Sequence, residues 1–83
     1  MYLARVYVTL KPTVNDPVGQ TIRSGLRDLG FGTVESVRSG KYMEVRLDAE
    51  TEEAADNAVS TMCDDFLANP VIEEYRFELE RIA

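Results

Sequence analysis

The sequence predicts an α+β fold in the order β-α-β-β-α-β, with four strands in one antiparallel sheet and two helices on one face. Two observations carry this. Three segments alternate apolar and polar residues with a period of two, while two others place apolar residues three and four apart. Between them the chain is punctuated by Asp16-Pro17, Gly30, Ser39-Gly40 and Asn69-Pro70.

The first segment, YLARVYVTL, puts Ala4, Val6, Val8 and Leu10 on one face and Arg5, Tyr7 and Thr9 on the other. That is a strand with one buried face, and it ends at Lys11-Pro12 because Pro12 has no N–H to give a ladder. Asp16 then caps a helix and Pro17 fits its first position. Val18, Ile22, Gly25, Leu26 and Leu29 make one apolar stripe, with Gly25 expected to let the helix approach a neighbouring backbone. Gly30 ends that helix as a left-handed cap, with Phe31 folding back onto the last turn.

TVESVR and KYMEVRL follow, joined by Ser39-Gly40, and read as a hairpin. In the second, Met43, Val45 and Leu47 alternate with Tyr42, Glu44 and Arg46. In the first, Val34 and Val37 are three apart, which breaks the strand period and suggests a bulge. Thr51 caps a second helix, and Glu52 and Glu53 sit in its first turn, where the helix dipole favours them. Its stripe is Ala54/Ala55, Ala58/Val59, Met62/Cys63 and Phe66/Leu67, and Asn69-Pro70 ends it. EEYRFELERI, with Tyr75, Phe77 and Leu79 on one face, is the last strand. Right-handed crossovers assemble these pieces into a ferredoxin-like two-layer sandwich formed by a single domain, residues 1–83. The sheet face away from the helices carries Arg5, Tyr7, Thr9, Tyr42, Glu44, Arg46, Arg76 and Glu78. No element of the chain is left to cover it.

At 83 residues the chain is near the lower limit for folding on one core. One cysteine and no histidine exclude an internal disulfide and leave almost nothing for a structural zinc site. Self-association or docking onto a larger partner is therefore expected. No apolar run is long enough to span a membrane, and no signal-peptide layout is present. With a lone cysteine, this reads as cytoplasmic. Charge is uneven: residues 1–46 sum to +3 and residues 47–75 to −9, within a total of −6. Such a surface repels phosphate backbones, which argues against nucleic acid as a partner.

No catalytic constellation is complete. Cys63 has no histidine to activate it and lies in an apolar stripe, as a structural thiol does. The pairs Glu52-Glu53, Asp64-Asp65 and Glu73-Glu74 have no apolar enclosure and read as solvated charge. Gly40-Lys41 lacks the frame of a phosphate loop. No CxxC metal-carrier loop is present, nor the aromatic motif of RNA-binding domains. KPTVNDPVG is not the Gly-rich loop that an acylphosphatase-type enzyme needs after its first strand. No residue is assigned to catalysis, to a cofactor or to a metal.

Four stretches carry a resemblance: VYVTLKPTVNDPVG, LRDLGF, VRSGKYMEV and MCDDFLANPVIEEYRFEL. In this order and spacing they closely resemble the PurS family, the small subunit of bacterial phosphoribosylformylglycinamidine (FGAM) synthase in purine biosynthesis. The resemblance implies a non-catalytic assembly subunit. It would bridge an ATP-dependent synthetase (PurL-type) and a glutaminase (PurQ-type) and support ammonia transfer between them. It also implies a homodimer or homotetramer. ATP, magnesium and glutamine would be used by the complex and none bound by this chain. Interface residues are then expected at Arg38, Gly40, Lys41 and Tyr42, taken as an exposed hairpin tip. Tyr7 is expected on the open face with Tyr42, and Asn69 and Pro70 at the break after the second helix. The competing reading is a dimeric small-ligand sensor for an amino acid or nucleotide.

Overall fold

A computed structural model describes all 83 residues, Met1–Ala83. Alternating segments form β1 (Tyr2–Leu10), β2 (Gly40–Leu47) and β3 (Glu73–Arg81), and the helical patterns form α1 (Pro17–Asp28) and α2 (Glu52–Met62). The sheet has the order β2-β1-β3 with both pairings antiparallel, so β1 is central. Its register sets Tyr7 opposite Tyr42 on one side and Arg76 on the other.

The core is small because one helix builds it. Ala4, Val6 and Val8 of β1 meet Val59 and Cys63 of the second helix, and Ala68 closes the cluster. These positions are four apart on the helix and two apart on the strand, as the two periods require. Thr51 accepts from the backbone N–H of Ala54 at 3.0 Å and so caps α2. Thr51→Ala should cost about 1 kcal/mol and lower the melting temperature by roughly 4–8 °C, measured by circular dichroism. Past Met62 the helix widens into a π-helical turn, Cys63–Leu67. Phe66, expected in the apolar stripe, is 87% exposed there. The wider turn rotates it off the face that Ala55, Val59 and Cys63 share.

The expected four-stranded ferredoxin-like sheet is not what forms: there are three strands, and TVESVR is not one of them. Residues 34–39 form neither helix nor strand; they return along α1 and feed straight into β2 without a hairpin. Arginine side chains of α1 take two of the segment's carbonyls, Val34 O and Glu35 O, and that of the preceding Gly32. Arg23 Nε donates to Glu35 O at 2.8 Å, and Arg27 donates to Gly32 O and Val34 O at 3.0 Å each. Those acceptors are satisfied without a ladder.

Both helices were expected on one sheet face, but only α2 packs there, over β1 and β3. The helix α1 and residues 31–39 form an arm that stands away from the sheet. The radius of gyration is 16.3 Å, against about 12 Å for a compact chain of this length. Gly25, expected to meet a backbone, has nothing within 4 Å of where a side chain would start. Gly30 does take the left-handed conformation of a helix cap, with φ 102°, and Phe31 N–H donates back to Leu26 O at 3.0 Å. The Phe31 ring stays exposed. Only 11 of 83 residues are buried, and large apolar side chains such as Val18, Leu29, Phe66 and Val71 of a single copy stay in water.

Candidate functional site

The arm joins the sheet at one end, and its root is built around a buried carboxylate. Asp16 precedes α1 and accepts from Gly19 N–H at 2.9 Å, which is the ordinary capping bond. Its other oxygen accepts from Ser39 N–H at 2.7 Å, and Ser39 Oγ donates to it as well. One side chain thus ties the start of the helix to the end of the segment that returns along it. The Gly19 N–H, then the Ser39 N–H, hold the Asp16 carboxyl below its ordinary value. Gly19 lets the returning chain pass: a side-chain carbon there would sit 2.2 Å from Val37 O.

The predicted residues fall into two groups. Arg38 is not at a hairpin tip; its guanidinium donates to Lys11 O at 3.0 Å and Val14 O at 2.9 Å, bracing the root. Gly40 and Lys41 open β2 opposite Thr9 and Val8. Lys41 Nζ lies 3.3 Å from Glu73, whose other oxygen accepts the Asn69 N–H at 2.7 Å. The Asn69 N–H first, and Lys41 after it, keep the Glu73 carboxyl below its ordinary value. Asn69 Oδ1 accepts from Val71 N–H at 3.0 Å, and Lys11 Nζ donates to Pro70 O at 2.7 Å. Arg38, Lys41, Asn69 and Pro70 are therefore linked through Lys11 and Glu73 at one end of the sheet. Beside them a groove of 370 Å³ lies between the arm and the sheet, lined by Val8, Leu10, Val18, Gly40 and Glu73 among others.

Tyr7 and Tyr42 sit on the outer sheet face, as the alternation predicts. Their ring centroids are 5.1 Å apart, and the Arg76 guanidinium lies 3.9 Å over the Tyr7 ring. Tyr7 OH donates to Glu78 at 2.9 Å and Tyr42 OH to Glu44 at 2.9 Å. The Glu78 hydrogen bond raises the Tyr7 phenol above its ordinary value. Arg5 pairs with Glu80 at 2.6 Å on the same face. This is a layer of aromatic rings and guanidinium groups, the side chains that anchor protein interfaces most often.

Sequence reasoning missed Ser39 and Gly19 as parts of the root. The Asp16 cap was visible as Asp-Pro, but its second partner is 23 residues away and no local pattern announces it. Arg76 as the cation over Tyr7 was placed on the right face without a partner. Burial pushes the Cys63 thiol up, which makes it a poor nucleophile. No group of three or more His, Cys, Asp or Glu side chains converges closely enough to hold a metal ion, and no helix is long and apolar enough to cross a membrane.

Comparison with known proteins gives one answer throughout. The family PurS, phosphoribosylformylglycinamidine (FGAM) synthase, matches residues 3–81. The phosphoribosylformylglycinamidine synthase subunit PurS of Synechocystis is 51% identical, with 94% of this chain and 78% of the relative covered. That of Bacillus subtilis is 42% identical, covering 99% of this chain and 96% of the relative. Among solved structures, Methanocaldococcus jannaschii PurS superposes with a TM-score of 0.89 at 40% identity over all of both chains. A chain of the PurLQS structure from Thermotoga maritima superposes with a TM-score of 0.85 at 32% identity, over 96% of this chain and 99% of that one.

Proposed function

The chain belongs to the PurS family, and from that premise we propose that it is the assembly subunit of FGAM synthase in purine biosynthesis. On this reading, residues 1–83 act as one cytoplasmic PurS-like domain. It holds an ATP-dependent synthetase and a glutaminase together so that ammonia released from glutamine reaches the formamide being aminated. The likeness to a chain of the Thermotoga maritima PurLQS structure is the observation that carries it. ATP, magnesium and glutamine are handled by the two larger subunits, and this chain binds none of them. It works as a homodimer or homotetramer, which fits a chain that buries so little of itself. The Tyr7–Tyr42 layer and the root residues Arg38, Gly40, Lys41, Asn69 and Pro70 are its contact surfaces with other subunits.

Reconstitution tests this directly. Synthetase and glutaminase mixed without this chain should turn over with added ammonia but fall to background with glutamine. Adding the chain should restore glutamine-dependent turnover. Full glutamine-dependent turnover in its absence would refute the assignment.

A further inference from the structure

The two most exposed large apolar side chains, Phe66 at 87% and Val71 at 77%, lie on either side of Asn69-Pro70, between α2 and β3. The backbone that carries them is braced. Tyr75 OH donates to Asp64 at 2.9 Å and so fastens the π-helical turn to β3. Asn69 Oδ1 accepts the Val71 N–H, Glu73 accepts the Asn69 N–H, and Lys11 holds Pro70 O. A π-helical turn is rare and recurs at functional sites. Here it turns an aromatic ring from the core into water. A ring carried on fixed backbone has little freedom left to lose when a partner buries it. In the same turn a hollow of about 240 Å³ is lined by Ala68, Pro70 and Tyr75, with carboxylates from Asp64 and Glu74.

We propose that this turn docks onto a protein of different sequence, one that offers an apolar pocket to Phe66 and a Lys or Arg to the hollow. The stem of such a side chain would lie along Ala68, Pro70 and Tyr75, and its charged head would meet Asp64 and Glu74. Charge selects this occupant. Between Cys63 and Tyr75 there are four acidic residues and no basic one. Lys11 and Lys41 reach this end of the sheet but are engaged by Pro70 O and Glu73. Asp65 and Glu74 have no ion-pair partner in the chain. Pairing of the turn with itself about a two-fold axis would set these carboxylates against their own copies, so a basic-rimmed partner is favoured. The inference rests on the reading of the chain as an assembly subunit. It adds Phe66, Val71 and Glu74 to the contact residues, with the chemistry of what they meet.

Purified synthetase and glutaminase, each alone and together, are titrated calorimetrically with wild type, Phe66→Ala, Val71→Ser and Glu74→Gln. Phe66→Ala should bind one of the larger subunits about tenfold or more weakly. Glu74→Gln should lose less, and its difference from wild type should fade at about 0.5 M salt. Melting temperature and oligomeric state should stay at wild-type values, because all three side chains are exposed. Val71→Ser repeats the test without altering the π-helical turn. In the reconstituted synthase, the concentration of Phe66→Ala giving half-maximal glutamine-dependent turnover should rise by the factor lost in binding. If all three variants bind as wild type does while wild type still restores turnover, the docking surface is wrong and the assembly reading stands. If Phe66→Ala instead dissociates the homo-oligomer, the occupant is a second copy and the proposal falls. A wild-type chain that binds neither subunit and restores nothing overturns both.

Discussion

Gly19→Ala is expected to lower the melting temperature by roughly 10–20 °C, since of the five glycines Gly19 has the tightest surroundings. The new carbon would lie 2.2 Å from Val37 O, 2.8 Å from Asp16 Oδ2 and 3.0 Å from Val37 C. Two of those three atoms are backbone, so no rotamer change relieves the contact. The returning segment must move off the helix, and with it go Ser39 and the second half of the Asp16 network. Forced overpacking of this kind costs about 1–3 kcal/mol, and a rigid backbone neighbour puts it at the upper end. Thermal unfolding measures the loss, and faster amide exchange at Ser39 locates it. A variant that melts with wild type would show that Gly19 does not hold the passage open.

The second large effect belongs to Asp16, which is 2% exposed and accepts from both Gly19 and Ser39 at the root. Asp16→Ala leaves the N–H groups of Gly19 and Ser39 without their acceptor, and should lower the melting temperature by roughly 10 °C. The wild-type residue also sets an acid limit. Its folded carboxyl is held below the ordinary value of 3.8, so the folded chain binds that proton less readily than the unfolded chain does. Its contribution is therefore complete above about pH 4 and is lost as pH falls through the lowered folded value. Asp16→Asn cannot titrate and should flatten that part of the pH profile. Glu73, shifted in the same direction, keeps the remainder of the slope. Denaturant midpoints measured from about pH 7 to about pH 3 decide the matter. An unchanged acid slope in Asp16→Asn would assign the limit elsewhere.

Three strands, both helices and both N-terminal caps were legible because each rests on contacts a few residues apart or on a strict period. Residues 33–39 were not legible, for a specific reason. The Val34 and Glu35 carbonyls are satisfied by Arg27 and Arg23, long side chains on a helix, and no alternation records that kind of partner. The broken spacing of Val34 and Val37 was the trace of it, since a segment paired to side chains need not keep a strand period. The same cause displaced Gly40 and Lys41 from a supposed turn into the first residues of β2. Tyr7 and Tyr42 were placed correctly because register and face follow from the period of two. Phe66 was misplaced because a π-helical turn is invisible to a pattern that assumes 3.6 residues per turn.

The root of the arm has a mechanical consequence. Chain leaves the sheet after Leu10 and returns at Gly40, both at the same end, so the whole arm pivots about one small region. With 12 residues, α1 is a lever about 18 Å long. A rotation of about 10° at Asp16 and Arg38 therefore swings its far end by about 3 Å while the sheet stays still. Spacing between whatever grips the lever's tip and whatever grips the sheet is set by a handful of hydrogen bonds at the fulcrum. A substitution of Asp16 changes reach while every proposed contact residue stays in place.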